Sequence, residues 1–191
     1  QGYITDVTER KKREEELDER KKMLERAIDE APFPVMLHTE DGEVTKINEA
    51  WREITGYSPA EIPTISEWTE KAYGDRKEEA INTIKNLYDT RGRTSEGEFE
   101  ITTKSGEKRI WYFKSVYIGE LPDGRGLFKS VANDVTERKR AEQKMERERD
   151  QAQQYLDIAG SIIVLLDEDR NIQEINRKGC QILGYDKEEI I

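Results

Sequence analysis

Cysteine and histidine are almost missing from this chain: Cys180 and His38 stand alone among 191 residues. A single cysteine excludes an internal disulfide and suits a reducing compartment. With no Cys/His cluster beside it, Cys180 is expected to be a small buried hydrophobe. Long apolar runs are missing as well. The longest, Ile162–Leu166, falls far short of the roughly 20 residues a membrane-spanning helix needs, and the amino end carries no signal-peptide pattern. Any membrane segment of the parent protein is therefore expected outside this stretch, which should make no direct membrane contact. An excess of basic residues is lacking too. The net charge is −10 and the pI about 4.9, a field that repels nucleic acid and anionic lipid, so no nucleic acid partner is expected.

Charge itself is abundant, at 39% of residues, and it alternates in sign over 9–22 and 137–150, which reads as solvent-facing helix. The hexapeptide Asp-Val-Thr-Glu-Arg-Lys occurs twice, at Asp6–Lys11 and Asp134–Lys139, an offset of 128 residues. Laying residues 1–63 over 129–191 without a gap matches 19 of 63 positions, among them Leu37/Leu165, Ile47-Asn48/Ile175-Asn176 and Gly56-Tyr57/Gly184-Tyr185. A tandem repeat of this period is domain-sized, because about 100 to 150 residues is what one hydrophobic core organises. The chain thus reads as one complete unit with fragments of two others. Tyr155–Ile191 copies only the opening of the unit and is expected to fold incompletely or to borrow a partner.

Residues 8–30 lack Gly and Pro and carry a sparse apolar stripe, Leu17, Leu24 and Ile28, at helical spacing; Pro32 and Pro34 end that helix. Val35–Leu37, an Asp41-Gly42 turn and Val44–Ile47 read as a hairpin. A helical period follows through Ala50, Trp51 and Ile54, with Gly56 placed to close it. Ser58-Pro59-Ala60-Glu61 has the form of a capping box and predicts a second short helix. Residues 64–73 are less periodic, with Ile65, Trp68 and Tyr73 read as a cavity wall, and a long helix is predicted over 75–90 with Ala80, Ile81, Ile84, Leu87 and Tyr88 on one side. Strands are expected around Phe99 and Ile101, over Ile110–Ile118 and over Leu127–Val135. Two strands, several helices, then three strands predict an α+β fold with a five-stranded antiparallel sheet. Asp134 and Glu137 read as another capping box, with Glu137 reaching back, opening a helix in which Ala141, Met145, Ala152, Tyr155 and Ala159 fall near a and d positions. That is a thin seam for a dimeric coiled coil, interrupted by Glu148.

The order of elements, Asn48-Glu49-Ala50 through Ile54-Thr55-Gly56-Tyr57, and the Asp-Val-Thr-Glu-Arg exit together resemble the PAS sensor-domain family. The resemblance covers nearly the whole chain. Residues 1–11 look like the exit of a preceding PAS domain, 27–136 like a complete one and 155–191 like the N-terminal part of a following one, with connector helices over 12–26 and 137–154. It implies a PAS fold with helices on one face of the sheet, enclosing a pocket that can hold a small ligand. It also implies a cytoplasmic sensory segment without catalysis of its own, in a two-component signalling protein such as a sensor histidine kinase. The partners it implies are a second copy bound through the connector helices, neighbouring PAS units and an output domain. Neither a glycine-rich nucleotide loop nor a phosphoacceptor-like histidine region is present, so catalysis is expected elsewhere in the parent.

Trp51, Ile54, Tyr73, Ile84, Leu87, Trp111 and Phe113 are the candidate pocket residues, with Tyr73, Asn86 or Tyr112 as the polar groups. Most of the seven are equally well read as plain core. Asp134, Thr136, Glu137 and Arg138 are the candidate signal-transmission junction, where the last strand becomes the connector helix. No catalytic or metal-binding residue is expected. Haem-binding relatives carry their axial histidine on the long helix, whereas His38 lies in the first strand, so haem is not expected. Flavin-binding light sensors carry a cysteine directly after the asparagine that here is followed by Glu49, so flavin is not expected either; an unidentified small molecule is the ligand left open. Glu98 and Glu100 share a strand face with Thr102, which reads as a solvent-facing edge rather than a hydrolytic carboxylate pair. The rival to a sensor or relay is a ligand-free structural spacer and dimerisation module.

Overall fold

The computed structural model describes residues 2–158 and 160–191, with side chains from residue 9 onward except those of 157 and 158. Ala159, the last position of the proposed seam, and the side chains of Asp6–Thr8 lie outside the described residues. The chain divides into two compact units, Gln1–Thr136 and Glu137–Ile191.

In the first unit, helix α1 (Gly2–Asp29) takes in the first hexapeptide copy and is exposed from residue 9 to 27. Its i,i+4 ion pairs, such as Arg10–Glu14 at 3.0 Å and Lys22–Asp18 at 2.7 Å, are solvent-screened and add little to the helix. The apolar stripe has no cover within one chain, for Leu17 and Leu24 are each 66% exposed. Strands β1 (Val35–Thr39) and β2 (Val44–Ile47) form the expected hairpin, with Gly42 at φ 91° in the turn. Helix α2 (Glu49–Thr55) is capped by Asn48 and ends at Gly56, φ 75°.

The helix expected at Ser58 does not form. Glu61 accepts from the Ser58 amide (3.0 Å) and hydroxyl (2.8 Å), as a capping pattern requires, but Pro63 supplies no amide proton and stops the run after one turn. The helix starts later, as α3 (Ile65–Tyr73), capped by Thr64, so the less periodic stretch is the helical one. Gly74–Arg76 makes a single 3-10 turn before α4 (Lys77–Thr90). Strands β3 (Arg93–Thr102), β4 (Lys108–Glu120) and β5 (Gly126–Asp134) complete an antiparallel sheet of order β2-β1-β5-β4-β3. This is the five-stranded α+β architecture expected from the element order. Alternation buries Trp111, Phe113 and Ser115 of β4 and Phe128, Ser130 and Ala132 of β5 on one face. The helices cover that face: Trp51 of α2 and Trp68 and Ala72 of α3 share one core with Met36, Ile47, Ile101, Trp111, Phe113 and Ala132 of the strands.

Helix α5 (Thr136–Ile158) leads into the second unit, made of β6 (Val164–Leu166), β7 (Ile172–Ile175), α6 (Arg177–Leu183) and α7 (Lys187–Ile190). Among its described residues Ile175, Asn176 and Gly179 are buried. Gly179 stands where the repeat has Trp51, and the Ile175 side chain occupies the place a Cβ there would need, 2.6 Å away. Cys180 is half-buried rather than buried, because a two-stranded sheet covers little of α6. No helix among the described residues is long and apolar enough to cross a membrane.

Candidate functional site

Six of the seven candidate pocket residues meet in one aromatic interior: Trp51, Trp111 and Phe113 are buried there, with Ile54, Tyr73 and Ile84 packed against them. Leu87, the seventh, is buried on α4. The Trp51 ring sits edge-on to Trp68 at 4.8 Å and to Trp111 at 5.2 Å, arrangements that add about 1 kcal/mol each beyond area burial. The indole N–H groups of Trp51 and Trp111 are buried without an acceptor among the described residues. Tyr73 belongs to this interior, and burial pushes its hydroxyl well above the ordinary tyrosine range. Asn86 and Tyr112 do not. Asn86 is on the exposed side of α4, and alternation along β4 turns Tyr112 away from Trp111 and Phe113 to bond Ser95 on the other face.

Sequence reasoning missed a second set of residues on the same buried face. The Tyr88 hydroxyl of α4 lies 3.1 Å from His38 Nδ1, His38 Nε2 lies 3.0 Å from Ser130 Oγ, and Ser130 Oγ lies 2.6 Å from Ser115 Oγ. Ser115 in turn donates to the Glu96 carboxylate. The row crosses four neighbouring strands, β1, β5, β4 and β3. Glu96 reaches it through a β-bulge: pairing passes from Ser95–Lys114 to Gly97–Phe113, leaving Glu96 as the extra residue, with Gly97 at φ 98°. Unbroken alternation from Phe99 and Ile101 would have sent Glu96 outward with Glu98 and Glu100. Those two keep their expected place on the edge strand, where Glu98 is exposed and Glu100 pairs with Arg76 (3.1 Å) and Lys108 (2.9 Å). An isolated glycine in a strand pattern was the available signal of the bulge.

Burial pushes His38 down to about 4, against a weaker opposing hydrogen bond with the Thr39 backbone. Burial also pushes Glu96 up, with the Ser115 hydroxyl acting the other way. A base held below its unfolded value costs stability as pH falls, because the unfolded chain takes up a proton near pH 6.5 that folded His38 refuses until about pH 4. Across that window the His38 contribution declines by about 3 kcal/mol. Glu96 works in the opposite sense, since its folded form takes up a proton before the unfolded one does. Unfolding free energies of wild type and His38→Asn between pH 7 and about pH 4 should therefore converge on acidification. Parallel curves would show that the imidazole titrates alike in both states.

The candidate junction is partly assembled. The Asp134 carboxylate accepts from the Thr136 amide (3.0 Å), from the Thr136 hydroxyl and from Arg109 Nη1 (2.8 Å), while Thr136 Oγ1 accepts from the Ile110 amide at 2.9 Å. The end of β5, the start of β4 and the first residue of α5 are thereby tied together. Burial pushes Asp134 up, but the Thr136 and Arg109 hydrogen bonds outweigh it and hold the group below the usual aspartate range. Glu137 and Arg138 are not in this knot. Glu137 pairs forward along α5 with Arg140 at 3.0 Å instead of reaching back, and Arg138 reaches Glu142 at 4.0 Å.

Asn48 makes a corresponding knot at the amino side of the unit. Its Oδ1 accepts from the Val35 and Trp51 amides, at 2.8 and 3.1 Å, and its Nδ2 donates to the carbonyls of Ile28, Ala31 and Phe33 at 3.2, 3.2 and 2.9 Å. One side chain thus joins the end of α1 to β1 and α2. Asn176 repeats the arrangement in the second unit, accepting from Ile163 and Gly179 amides (both 3.0 Å) and donating to Leu156 (2.8 Å) and Ser161 (3.0 Å) carbonyls.

Residues 32–137 match a family model described as PAS domain, and residues 152–191 match a second one of the same description. Among solved structures, the chain is similar to the PAS domain of an HTR-like protein from Haloarcula marismortui, with 18% identity, a TM-score of 0.52 and coverage of 65% of this chain and 98% of that one. An RNA-binding Light-Oxygen-Voltage receptor matches at 19% identity and TM-score 0.53, over 70% of this chain but only 37% of that chain. The PAS domain of a protein from Colwellia psychrerythraea matches at 16% identity and TM-score 0.50, over 61% and 97% of the two chains. At such identities the likeness is one of fold. No curated protein matches this chain.

Proposed function

This chain belongs to the PAS domain family, and we propose that it is a sensory relay: it takes up the state of its interior or of a neighbouring unit and passes it along connector helices to a signalling output of the histidine-kinase kind. In this reading the complete domain spans 27–136, the connectors span 12–26 and 137–154, and the segment performs no chemistry itself. The observation that carries the reading is the knot of Arg109, Ile110, Asp134 and Thr136. Because the cap of α5 is built from both β4 and β5, a slide of one strand against the other changes the donors around Thr136. The direction in which the helix leaves changes with them, which makes the joint a switchable element. A homodimer through the connectors belongs to the same reading. Its support is the uncovered stripe of Leu17 and Leu24 on α1, with Met145 (70% exposed) and Tyr155 (77% exposed) on α5.

Arg109→Ala tests the joint. It removes a half-buried, charge-assisted bond worth about 1 kcal/mol, so amide exchange in the first turn of α5 should quicken about fivefold while exchange in β1 and β2 stays unchanged. Unchanged exchange in α5 would leave the segment a spacer. A ligand-sensing version has its own support in the two buried indole N–H groups of Trp51 and Trp111, which a small molecule bearing an acceptor oxygen would satisfy. Native mass spectrometry of the purified chain decides it: an added mass lost on denaturation marks a ligand sensor, and a bare mass leaves relay between units. The same spectrum reads the dimer.

A further inference from the structure

The geometry points to a proton-binding site: the row Tyr88, His38, Ser130, Ser115 and Glu96 takes one proton from solvent at the Tyr88 end, stores it on Glu96, and reverses every hydrogen bond along its length in doing so. An ionised Glu96 only accepts, so the Ser115 hydroxyl donates to it. Ser115 Oγ must then accept from Ser130 at 2.6 Å, Ser130 Oγ must accept from His38 Nε2–H at 3.0 Å, and His38 Nδ1 is left as the acceptor of the Tyr88 hydroxyl at 3.1 Å. Neutral His38 is therefore the Nε2–H tautomer, and each contact of the row has one donor and one acceptor.

Protonation runs this chain backwards. The Tyr88 oxygen takes a proton from a hydronium ion, and its own proton passes to His38 Nδ1. The Nε2 proton passes to Ser130, the Ser130 proton to Ser115 and the Ser115 proton to a Glu96 oxygen. At the Tyr88, Ser130 and Ser115 oxygens one O–H bond forms and one breaks, at His38 an Nδ1–H bond forms as the Nε2–H bond breaks, and the row changes from one negative charge to none. His38 ends as the Nδ1–H tautomer, still neutral. The reversed row is again fully paired, with Glu96 donating to Ser115 and Nδ1–H donating to Tyr88. Two paired arrangements that differ by a single proton are what a binary proton sensor needs.

Access and surroundings fit this. Tyr88, whose hydroxyl bonds His38, also lines an open polar cleft of about 600 Å³ with Glu40, Lys85, Asp89 and Arg91. Tyr73 of α3 and Tyr88 of α4 face the Glu96 charge, Arg76 lies near Tyr73, and Asp41 acts on Tyr88. Around His38 stand Phe128 of β5, stacked at 5.9 Å, and Tyr88 again at 5.6 Å, while Tyr117 of β4 packs on Phe128. Tyrosines supply no positive charge, so proton uptake by Glu96 relieves a buried negative charge. Ser130 lies on β5, four residues before Asp134, so the reversal takes place on the strand that ends in the joint. As a stimulus the proton rests on the sensory reading above, but the site is read at His38 itself, and its failure leaves the Arg109 experiment unaffected.

His38 is the sole histidine, so multiple-bond nitrogen NMR of the whole chain gives its tautomer without assignment. Wild type should show Nε2–H near pH 8 and convert on acidification to Nδ1–H, with the ring still neutral, above the value of about 4 at which His38 itself charges. Glu96→Gln should lose the pH-dependent conversion, and Ser115→Ala, which cuts the row while leaving Glu96 in place, should lose it too. Three results overturn the proposal: a tautomer that stays Nε2–H over this range in wild type, an imidazolium forming near pH 6.5, or a conversion that survives in both variants.

Discussion

Asn48→Ala is expected to cost about 4 kcal/mol of unfolding free energy, close to the largest loss available from one polar side chain here. Five hydrogen bonds to Asn48 end at backbone groups, of Val35, Trp51, Ile28, Ala31 and Phe33, and alanine replaces none of them. Each buried donor or acceptor left without a partner costs about 1 to 3 kcal/mol, and water reaches only the outer ones, since Asn48 itself has no exposed surface. Asn48→Asp separates the two halves of the knot: it keeps both acceptor bonds but turns a negative charge toward three carbonyls. It should be almost as damaging as alanine. Urea unfolding measures both, and hydrogen exchange over residues 28–35 should show α1 released from β1. A loss below about 1 kcal/mol would mean that the connector is held elsewhere.

Trp51→Ala is the second large effect, expected at about 4 kcal/mol. Trp51 has almost no exposed surface and touches Trp68, Trp111 and Phe113 through edge-on or tilted ring contacts. Removing the indole opens a cavity between α2, α3 and β4, and rings fixed on three elements collapse into it poorly. Trp51→Phe should cost much less, because it keeps a ring in place and removes an unpaired N–H. Thermal unfolding gives both numbers. Equal losses for Ala and Phe would show that a smaller ring at this place does not fill the cavity. Gly179 at the matching place of the second unit shows that the repeat keeps its Asn knot while changing its core.

The strands and the helix from Asn48 to Gly56 were legible because they rest on local signals, alternation, an Asp-Gly turn and a glycine cap, and the antiparallel sheet followed from the grouping of the strands; the order of the strands in it did not. The aromatic interior was legible for the same reason. What was hidden depends on distant partners or on an interrupted register. His38 invites the question of a metal ligand, and only Ser130, 92 residues away, and Tyr88, 50 residues away, show both its ring nitrogens engaged. Glu96 was invisible because one inserted residue moves a carboxylate from the outer face to the inner one. Ser58 to Glu61 carries the chemistry of a helix cap but spends it on a turn, since Pro63 follows too soon. At the junction, Asp134 and Thr136 stand where the capping pattern suggested, whereas Arg109, which completes it, comes from a different strand.

The proposed relay requires that a shift in the sheet reach the connector helix through that joint. The most direct test places a small packing change inside the sheet and looks for it in α5. Phe128 is fully buried on β5, six residues before Asp134, and Phe128→Leu shifts that strand without touching the joint. Amide chemical shifts of residues 137–140 should then move in the Phe128→Leu protein and return toward wild-type values when Arg109→Ala is added. Shifts that stop at Asp134 in the single variant, with α5 unaffected, would contradict the relay and leave Asp134 as no more than a helix cap.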